Sequence, residues 1–404
     1  MNANAYFDIV IIGAGPAGLC FATALSGHGL KVAIIEKLTI DDISDPKFDG
    51  REIALTQNSV RLMQDYGLWQ RIEPDAKAQL KEAVIYDGSS SNSLNISHEI
   101  SNFSELGWLV SNHYIRKSAY DALCDAKLTH GDIDLFFNES VTDVSLESDH
   151  GVVVLESGNK LIGKLVVAAD SRFSAARRAV GIPADMHDFG KTMLVCCMTH
   201  ENNHDYKAWE WFDYDRTLAL LPMNPEPSTM QSRSSIVITL PATQIARLVN
   251  LPEDQFNLEV ERYFQKRLGK MCLVSPRVPY PLVSVYPRKL VAQRFATIGD
   301  AAVGMHPVTA HGFNFGLLSV DYLSSEVIKA KKSELDFGAS ELLARYEQKH
   351  RRATRPLYVI TKLITDIYTS SSRPAKLFRK VALRIGRRFL PFKKAIANSL
   401  TGSH

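Results

Sequence analysis

The 404-residue chain is poor in the features that mark several broad protein classes. Its five cysteines, Cys20, Cys124, Cys196, Cys197 and Cys272, are odd in number and contain no CxxC pair. Neither a disulfide framework nor a zinc site is indicated, and no metal is expected. That usage fits a reducing, intracellular compartment. No stretch offers ~18 uninterrupted apolar residues, so a membrane-spanning helix is not expected. Residues 9–12 are too short for the core of a signal peptide, and no basic segment precedes them. A net charge of +3 gives no general case for nucleic-acid binding. No internal repeat or low-complexity tract is apparent. What is left is a soluble or peripheral protein, 45% apolar, with enough apolar material for two interleaved domains.

The charge near balance conceals an asymmetry. From Arg351 to the end there are thirteen Lys/Arg and one Asp, or +12, whereas the preceding 350 residues carry 34 basic and 43 acidic residues, or −9. Within the tail, Phe378, Val381, Ala382, Ile385 and Phe389 recur at helical spacing among Lys376, Arg379, Lys380, Arg384, Arg387 and Arg388. A helix of that kind suits an anionic membrane surface, a partner protein or the chain's own acidic body.

The N-terminus carries the clearest motif. Residues 7–12 form a β-branched run of the kind that makes a strand buried on both faces. Gly13-Ala14-Gly15-Pro16-Ala17-Gly18 follows at once, then a helix expected over 19–28 and a second strand over 31–35 closed by Glu36 and Lys37. The three glycines suit a tight turn, backbone approach to a pyrophosphate, and close helix–strand packing. The phosphates would sit at the helix N-terminus, where free N–H groups and the helix dipole favour negative charge. Glu36, 18 residues beyond Gly18, stands where a carboxylate can bind a ribose hydroxyl. By itself the motif does not separate NAD from FAD.

A second segment does. Residues 295–318 read FATIGDAAVGMHPVTAHGFNFGLL. A short strand over 295–298 ends in Gly299-Asp300, and a glycine-spaced stretch then enters a helix. An Asp at such a strand end can bond a ribityl hydroxyl, and the stretch through Gly312, Phe313, Asn314 and Gly316 can present backbone N–H groups to a phosphate or an isoalloxazine carbonyl. Here the sequence resembles the class A flavin-dependent aromatic hydroxylases, and within them the ubiquinone-biosynthesis hydroxylases. The resemblance spans roughly residues 6–350. It rests on the Gly13/Gly15/Gly18 turn, on Ala169-Asp170-Ser171-Arg172-Phe173-Ser174-Ala175-Ala176-Arg177, on Gly299-Asp300, and on His306-Pro307 with the Gly312/Asn314/Gly316 set. Residues 49–56 (DGREIALT) and 110–117 (VSNHYIRK) look like those of the branch that hydroxylates demethoxyubiquinol.

The resemblance implies an α/β fold: a Rossmann-like FAD-binding domain of the p-hydroxybenzoate hydroxylase kind, an interleaved mixed β-sheet substrate domain, and a C-terminal helical tail. The FAD domain would use residues 1–75, 100–180 and 285–345, the substrate domain 76–99 and 181–284, and the basic tail 346–404. Strand-like runs over 192–198, 209–212, 218–221 and 235–240 would build one wall of a substrate cavity, with Asn224-Pro225-Glu226-Pro227-Ser228 as a turn. The aromatic cluster Trp209, Trp211, Phe212 and Tyr214 would face a hydrophobic substrate or pack the sheet.

As implied contacts, Arg51 and Arg116 join Gly13, Gly15, Ala17, Gly18, Glu36, Lys37, Asp170, Gly299, Asp300, Gly312, Phe313 and Asn314 in holding FAD, and surface salt bridges are the plainer role of the two arginines. His306 and His311 are the titratable candidates near the flavin, and Pro307 would shape its face. The implied chemistry is oxygen insertion from O₂ by a flavin C4a-hydroperoxide into a polyprenylated ubiquinone precursor. NAD(P)H or a separate reductase supplies electrons, because no second dinucleotide fingerprint is present. The implied setting is cytoplasmic and peripheral to the inner membrane, with a lipophilic quinone precursor as substrate and other ubiquinone-biosynthesis proteins as partners of the tail. Two rivals remain: another class A flavin enzyme (a hydroxylase of a small aromatic acid or a prenyl-chain reductase), and a non-catalytic FAD-fold escort.

Three departures stand out. Ser171 replaces the motif's glycine, so its turn is made without glycine's freedom. Val303 stands where many relatives have His, and Thr309-Ala310-His311 replaces the commoner Ala-Gly-Gln.

Overall fold

The computed structural model describes residues 4–88, 93–100, 103–213, 216–306 and 311–369, arranged as an α/β fold of three sheets with packed helices. The basic segment from 370 onward, Tyr214 and Pro307 lie outside the described residues. Among those described, no helix is long and apolar enough to cross a membrane.

The chain opens with β1 (Asn4–Ile12), α1 (Pro16–Leu25) and β2 (Val32–Glu36). The first helix begins three residues before the expected Leu19, because Pro16 takes the first helical position, where its missing N–H is no loss. It ends at Leu25 because Ser26 turns extended and Gly27 follows at φ +77°. Next come β3 (Glu52–Leu55), β4 (Glu82–Asp87), α2 (Asn112–His130), β5 (Ile133–Phe137) and β6 (Lys160–Ala168). The sheet-rich middle holds β7 (Ala184–His200), β8 (Lys207–Asp213), β9 (Arg216–Met223), β10 (Ser232–Pro241) and β11 (Val278–Pro287). The chain then returns through β12 (Phe295–Thr297), α3 (Gly312–Lys332) and α4 (Ser340–Thr369).

Strands β12, β6, β1, β2 and β5 are neighbours in that order and all parallel. Both faces are covered. Ile9, Ile11 and Ile34 pack against Leu19, Phe21 and Leu25 on one side, while Val10, Ile12 and Ile35 join Val166 and Phe295 on the other. That is why the opening strand reads as a continuous apolar run and does not alternate.

The second sheet runs β7-β10-β9-β8-β4, with β11 against β7. It is antiparallel except where β4 pairs in parallel with β8, from Glu82 beside Lys207 to Asp87 beside Phe212. Here the strands do alternate. Leu194, Trp211, Leu220 and Ile238 point outward under the helices Ala242–Asn250 and Glu253–Tyr263. Their neighbours Val195, Phe212, Ala219 and Val237 point inward, toward the parallel sheet. A smaller sheet, in which residues Gly107–Ser111 pair with β3 and with Lys77–Leu80, closes the space between the two.

Candidate active site

One cavity of about 660 Å³ runs from the N-terminus of α1, past the end of β12, to the inner face of the second sheet. The three motif glycines meet it differently. A Cβ on Gly13, at φ +111°, would lie 2.6 Å from the Ala169 carbonyl oxygen, and one on Gly18 would lie 2.1 Å from the Gly13 oxygen. Both glycines are demanded by the protein itself. A Cβ on Gly15 would meet nothing within 4 Å. Gly15, Pro16 and Ala17 line the cavity, so the unpaired N–H groups of the first turn of α1 border open space. Glu36 does something other than line that space: its carboxylate accepts from the Ala14 N–H (2.8 Å) and the Leu38 N–H (3.0 Å), bracing the turn. Lys37 beside it is exposed.

Asp170 follows β6, next to Gly13. One carboxylate oxygen accepts from the Ala175 N–H at 2.8 Å; the other is buried with no hydrogen-bond partner among the described residues. Ser171, in the motif's glycine place, is not among the residues with positive φ, so the substitution imposes no strain. Gly299 does need glycine: φ is +61°, a Cβ would stand 2.8 Å from the Ala17 Cβ, and its N–H donates to Ser319 Oγ at 2.9 Å. Asp300 pairs with Arg172 at 3.2 Å on the cavity wall. Gly312 and Phe313 line the cavity at the start of α3. Asn314 faces away from it. Its buried amide accepts from the Thr56 N–H (3.1 Å) and donates to the Ala54 carbonyl (2.8 Å), fastening α3 to β3.

Both arginines line the cavity and also have partners in the chain. Arg51 donates to Asp49 at 2.5 and 3.0 Å and lies 5.5 Å from the Tyr280 ring centre; Arg116 donates to the Asp42 carbonyl at 3.2 Å. His306 lines the cavity, with the Phe189 ring edge-on at 4.5 Å. Burial, followed by the positive charges of Lys191 and Arg172, pushes the His306 imidazole down to about 4, so it is neutral at physiological pH. His311 is buried directly before α3, its ring 5.6 Å from Phe315, and is not part of the cavity lining.

The sheet wall corrects one half of the aromatic expectation. Trp209 and Trp211 point outward: Trp211 Nε1 donates to the Gly88 carbonyl at 2.8 Å, and Trp209 packs near Phe264. Their neighbours Glu210 and Phe212 face the cavity. Glu210, Glu52, Lys191 and Tyr280 are lining residues that sequence reasoning missed. The signal for Glu210 was present, because in a strand reading Trp-Glu-Trp the glutamate must face opposite to both tryptophans. Glu52 accepts from Ser111 Oγ, and burial, opposed by the Ser111 bond and Arg233, pushes its carboxyl up to about 7. Burial alone pushes Glu210 up to about 8.

A sequence model of the FAD binding domain family matches residues 6–358. The chain belongs to that family. FAD is its cofactor, and the enzyme is a flavin-dependent monooxygenase. It is 41% identical to the ubiquinone hydroxylase UbiM of Neisseria meningitidis over 98% of this chain and 84% of that one. It is 30% identical to the ubiquinone hydroxylase UbiL of Rhodospirillum rubrum over 100% of this chain and 91% of that one. The crystal structure of p-nitrophenol 4-monooxygenase PnpA from Pseudomonas putida matches with a TM-score of 0.75 at 15% identity, covering 100% of both chains. The last likeness speaks to the fold alone.

The groove fits FAD on its own terms. It offers the open Gly15 position at a helix N-terminus for a pyrophosphate, and the unpaired Asp170 oxygen and Asp300 for hydroxyl groups. The glycine-started helix α3 borders the same space.

Proposed function

We propose that this monooxygenase hydroxylates the aromatic ring of a polyprenylated ubiquinone precursor, at the demethoxyubiquinol step. The observation that carries the reading is the inner face of the second sheet. Met193, Val195, Phe212, Leu221 and Val237 make an apolar wall that opens without partition onto the FAD groove. An apolar wall of this size suits a lipid-like ring with few polar groups. Two further observations support it. The relatives at 41% and 30% identity carry the name ubiquinone hydroxylase. The stretches 49–56 and 110–117, which resemble the demethoxyubiquinol branch, meet at the cavity: Glu52 pairs with Ser111 and Ile53 with Val110, just before the second stretch enters α2.

When bound, reduced FAD activates O₂ and supplies one oxygen atom to an electron-rich ring carbon. The chain's own part is positional. Gly15 and the first turn of α1 hold the pyrophosphate, Asp170 and Asp300 accept hydroxyl hydrogen bonds, and Arg51 and Arg116 flank the same groove. Neutral His306 lines the cavity without adding a charge to it. The apolar wall keeps water from the reacting atoms. Electrons come from NAD(P)H or a separate reductase. The basic tail brings the enzyme to an anionic membrane surface, where its lipid substrate resides, and to other proteins of the pathway.

Quinone lipid profiling of a strain lacking this protein tests the reading. Demethoxyubiquinone is expected to accumulate, and an unchanged quinone pool would overturn it. Deleting residues 375–404 should leave flavin content intact while shifting the protein from the membrane to the soluble fraction. Unchanged fractionation would remove the membrane role of the tail.

A further inference from the structure

Two carboxyl groups face the substrate end of the cavity, and they are held very differently. Glu52 is engaged by Ser111 Oγ, with Arg233 near enough to act on its charge. Glu210 has neither an ion pair nor a hydrogen bond among the described residues. It lies in β8 directly beside Ala219 of β9 and Ile85 of β4, and the row continues inward-facing through Val237 to Val195. A carboxyl in such a row is costly, since burial disfavours its charged form and nothing here compensates it. A leucine would pack the position better. Both tryptophans that flank Glu210 are fixed on the opposite face, so its side chain has no alternative place to go.

An unpaired, half-buried carboxyl facing a site is the arrangement expected of a group that meets its partner only when substrate arrives. We propose that the Glu210 carboxylate binds a hydroxyl group of the substrate ring and takes its proton as the new carbon–oxygen bond forms. This rests on the substrate being a phenol or hydroquinone. The O–H bond breaks toward Glu210 while the ring carbon ortho or para to that hydroxyl gains oxygen, and the ring passes through a keto form. The oxygenated carbon then loses its hydrogen, the ring regains aromaticity, and the proton on Glu210 returns to the ring oxygen. The hydrogen lost from carbon balances the proton taken up by the second oxygen atom, which leaves as water. The two electrons are those of the reduced cofactor.

The sign of the pH dependence follows from the role. Glu210 must be ionised to accept a proton, and its carboxyl is pushed up to about 8, so hydroxylation should rise with pH through that value. The sheet neighbours Ile85 and Ala219 carry no charge. Arg51, Glu52 and Lys191 line the same cavity, yet burial is the sole cause of the shift at Glu210.

The test uses detergent-solubilised holoenzyme with a short-chain demethoxyubiquinol analogue, measuring hydroxylated product per O₂ consumed across neutral to alkaline pH. The wild type should show a rising limb near about 8. Glu210→Gln should keep its FAD, lose about a hundredfold in product formation and lose the limb. Glu210→Asp should keep a limb at intermediate rate. A Glu210→Gln enzyme with an unchanged profile overturns the proposal and leaves the substrate reading standing. Should that variant fail to hold FAD, the wild type and Glu210→Asp decide, and a flat wild-type profile overturns the proposal. A wild type that hydroxylates no quinol overturns the substrate reading and this proposal together.

Discussion

The two walls of the cavity are built on opposite rules. On the cofactor side most polar groups answer to the chain's own backbone: Glu36 braces Ala14, Asn314 fastens Thr56, and Gly299 donates to Ser319. The space beside Gly15 is open, one oxygen of Asp170 has no hydrogen-bond partner among the described residues, and Arg51, Arg116 and Asp300 border the same space. On the substrate side the strand faces offer Met193, Val195, Phe212, Ala219, Leu221 and Val237, interspersed with Lys191, Glu210, Thr217, Ser235 and Thr239. An apolar surface broken by single polar groups suits a ligand recognised by shape and by a few directed hydrogen bonds.

The sharpest way to break this comparison is within the glycine turn. Gly18→Val should fail to fold, since a Cβ there would lie 2.1 Å from the Gly13 oxygen. Gly15→Val, whose Cβ meets nothing, should fold with an unchanged circular dichroism spectrum but purify colourless. A yellow Gly15→Val would move the pyrophosphate elsewhere. Next in size, Ala219→Phe should fill the substrate wall and leave the cofactor wall alone. FAD content should stay the same while coupled hydroxylation falls more than tenfold, the scale of about 1.4 kcal/mol or more of lost binding. Equal losses of flavin and turnover would mean the walls are not separable.

The smallest effect concerns acid. His200, at the end of β7, is buried; its Nδ1–H donates to the Asn202 carbonyl at 2.7 Å and its Nε2 accepts from Ser234 Oγ at 2.9 Å. Burial pushes it down to about 4 from an ordinary 6.5. The unfolded chain therefore takes a proton that the fold refuses. The stability this contributes is complete above 6.5 and falls, by up to ~3 kcal/mol, as pH drops toward 4. Urea unfolding at neutral and mildly acidic pH should show the loss in the wild type and a smaller one in His200→Gln. Identical acid sensitivity would place its origin in the other imidazoles pushed down to about 4, His306 at the cavity and His350 buried under α3.

The same contrast explains what could be read in the sequence. Gly13, Gly15 and Gly18 are legible because local backbone geometry requires glycine at fixed intervals, and the parallel-sheet fold follows from the unbroken apolar run of β1. Glu36 and Asn314 are legible as polar motif residues, but the motif does not announce that each also has partners in its own chain. For Glu210, Trp-Glu-Trp sets the glutamate opposite both tryptophans but does not say which of the two faces meets the cavity. Which side of β8 faces the cavity depends on where β4 and β9 lie, and that is settled by pairing, not by local pattern. For the tryptophans the sequence leaves substrate contact and sheet packing both open, and their bulk is what the outer helices need.

The parallel pairing of β4 with β8 also bears on how the molecule assembles. Glu82 sits beside Lys207, 125 positions later, and β11 returns across a similar distance to lie against the start of β7, with Ala184 beside Pro287. The chain passes back and forth between the two sheets, so neither can be completed while the other is missing. Closing such long loops before their contacts give any return makes for slow folding. Until the last strand arrives, the inward face of the second sheet stands uncovered in water, an adhesive surface for other chains.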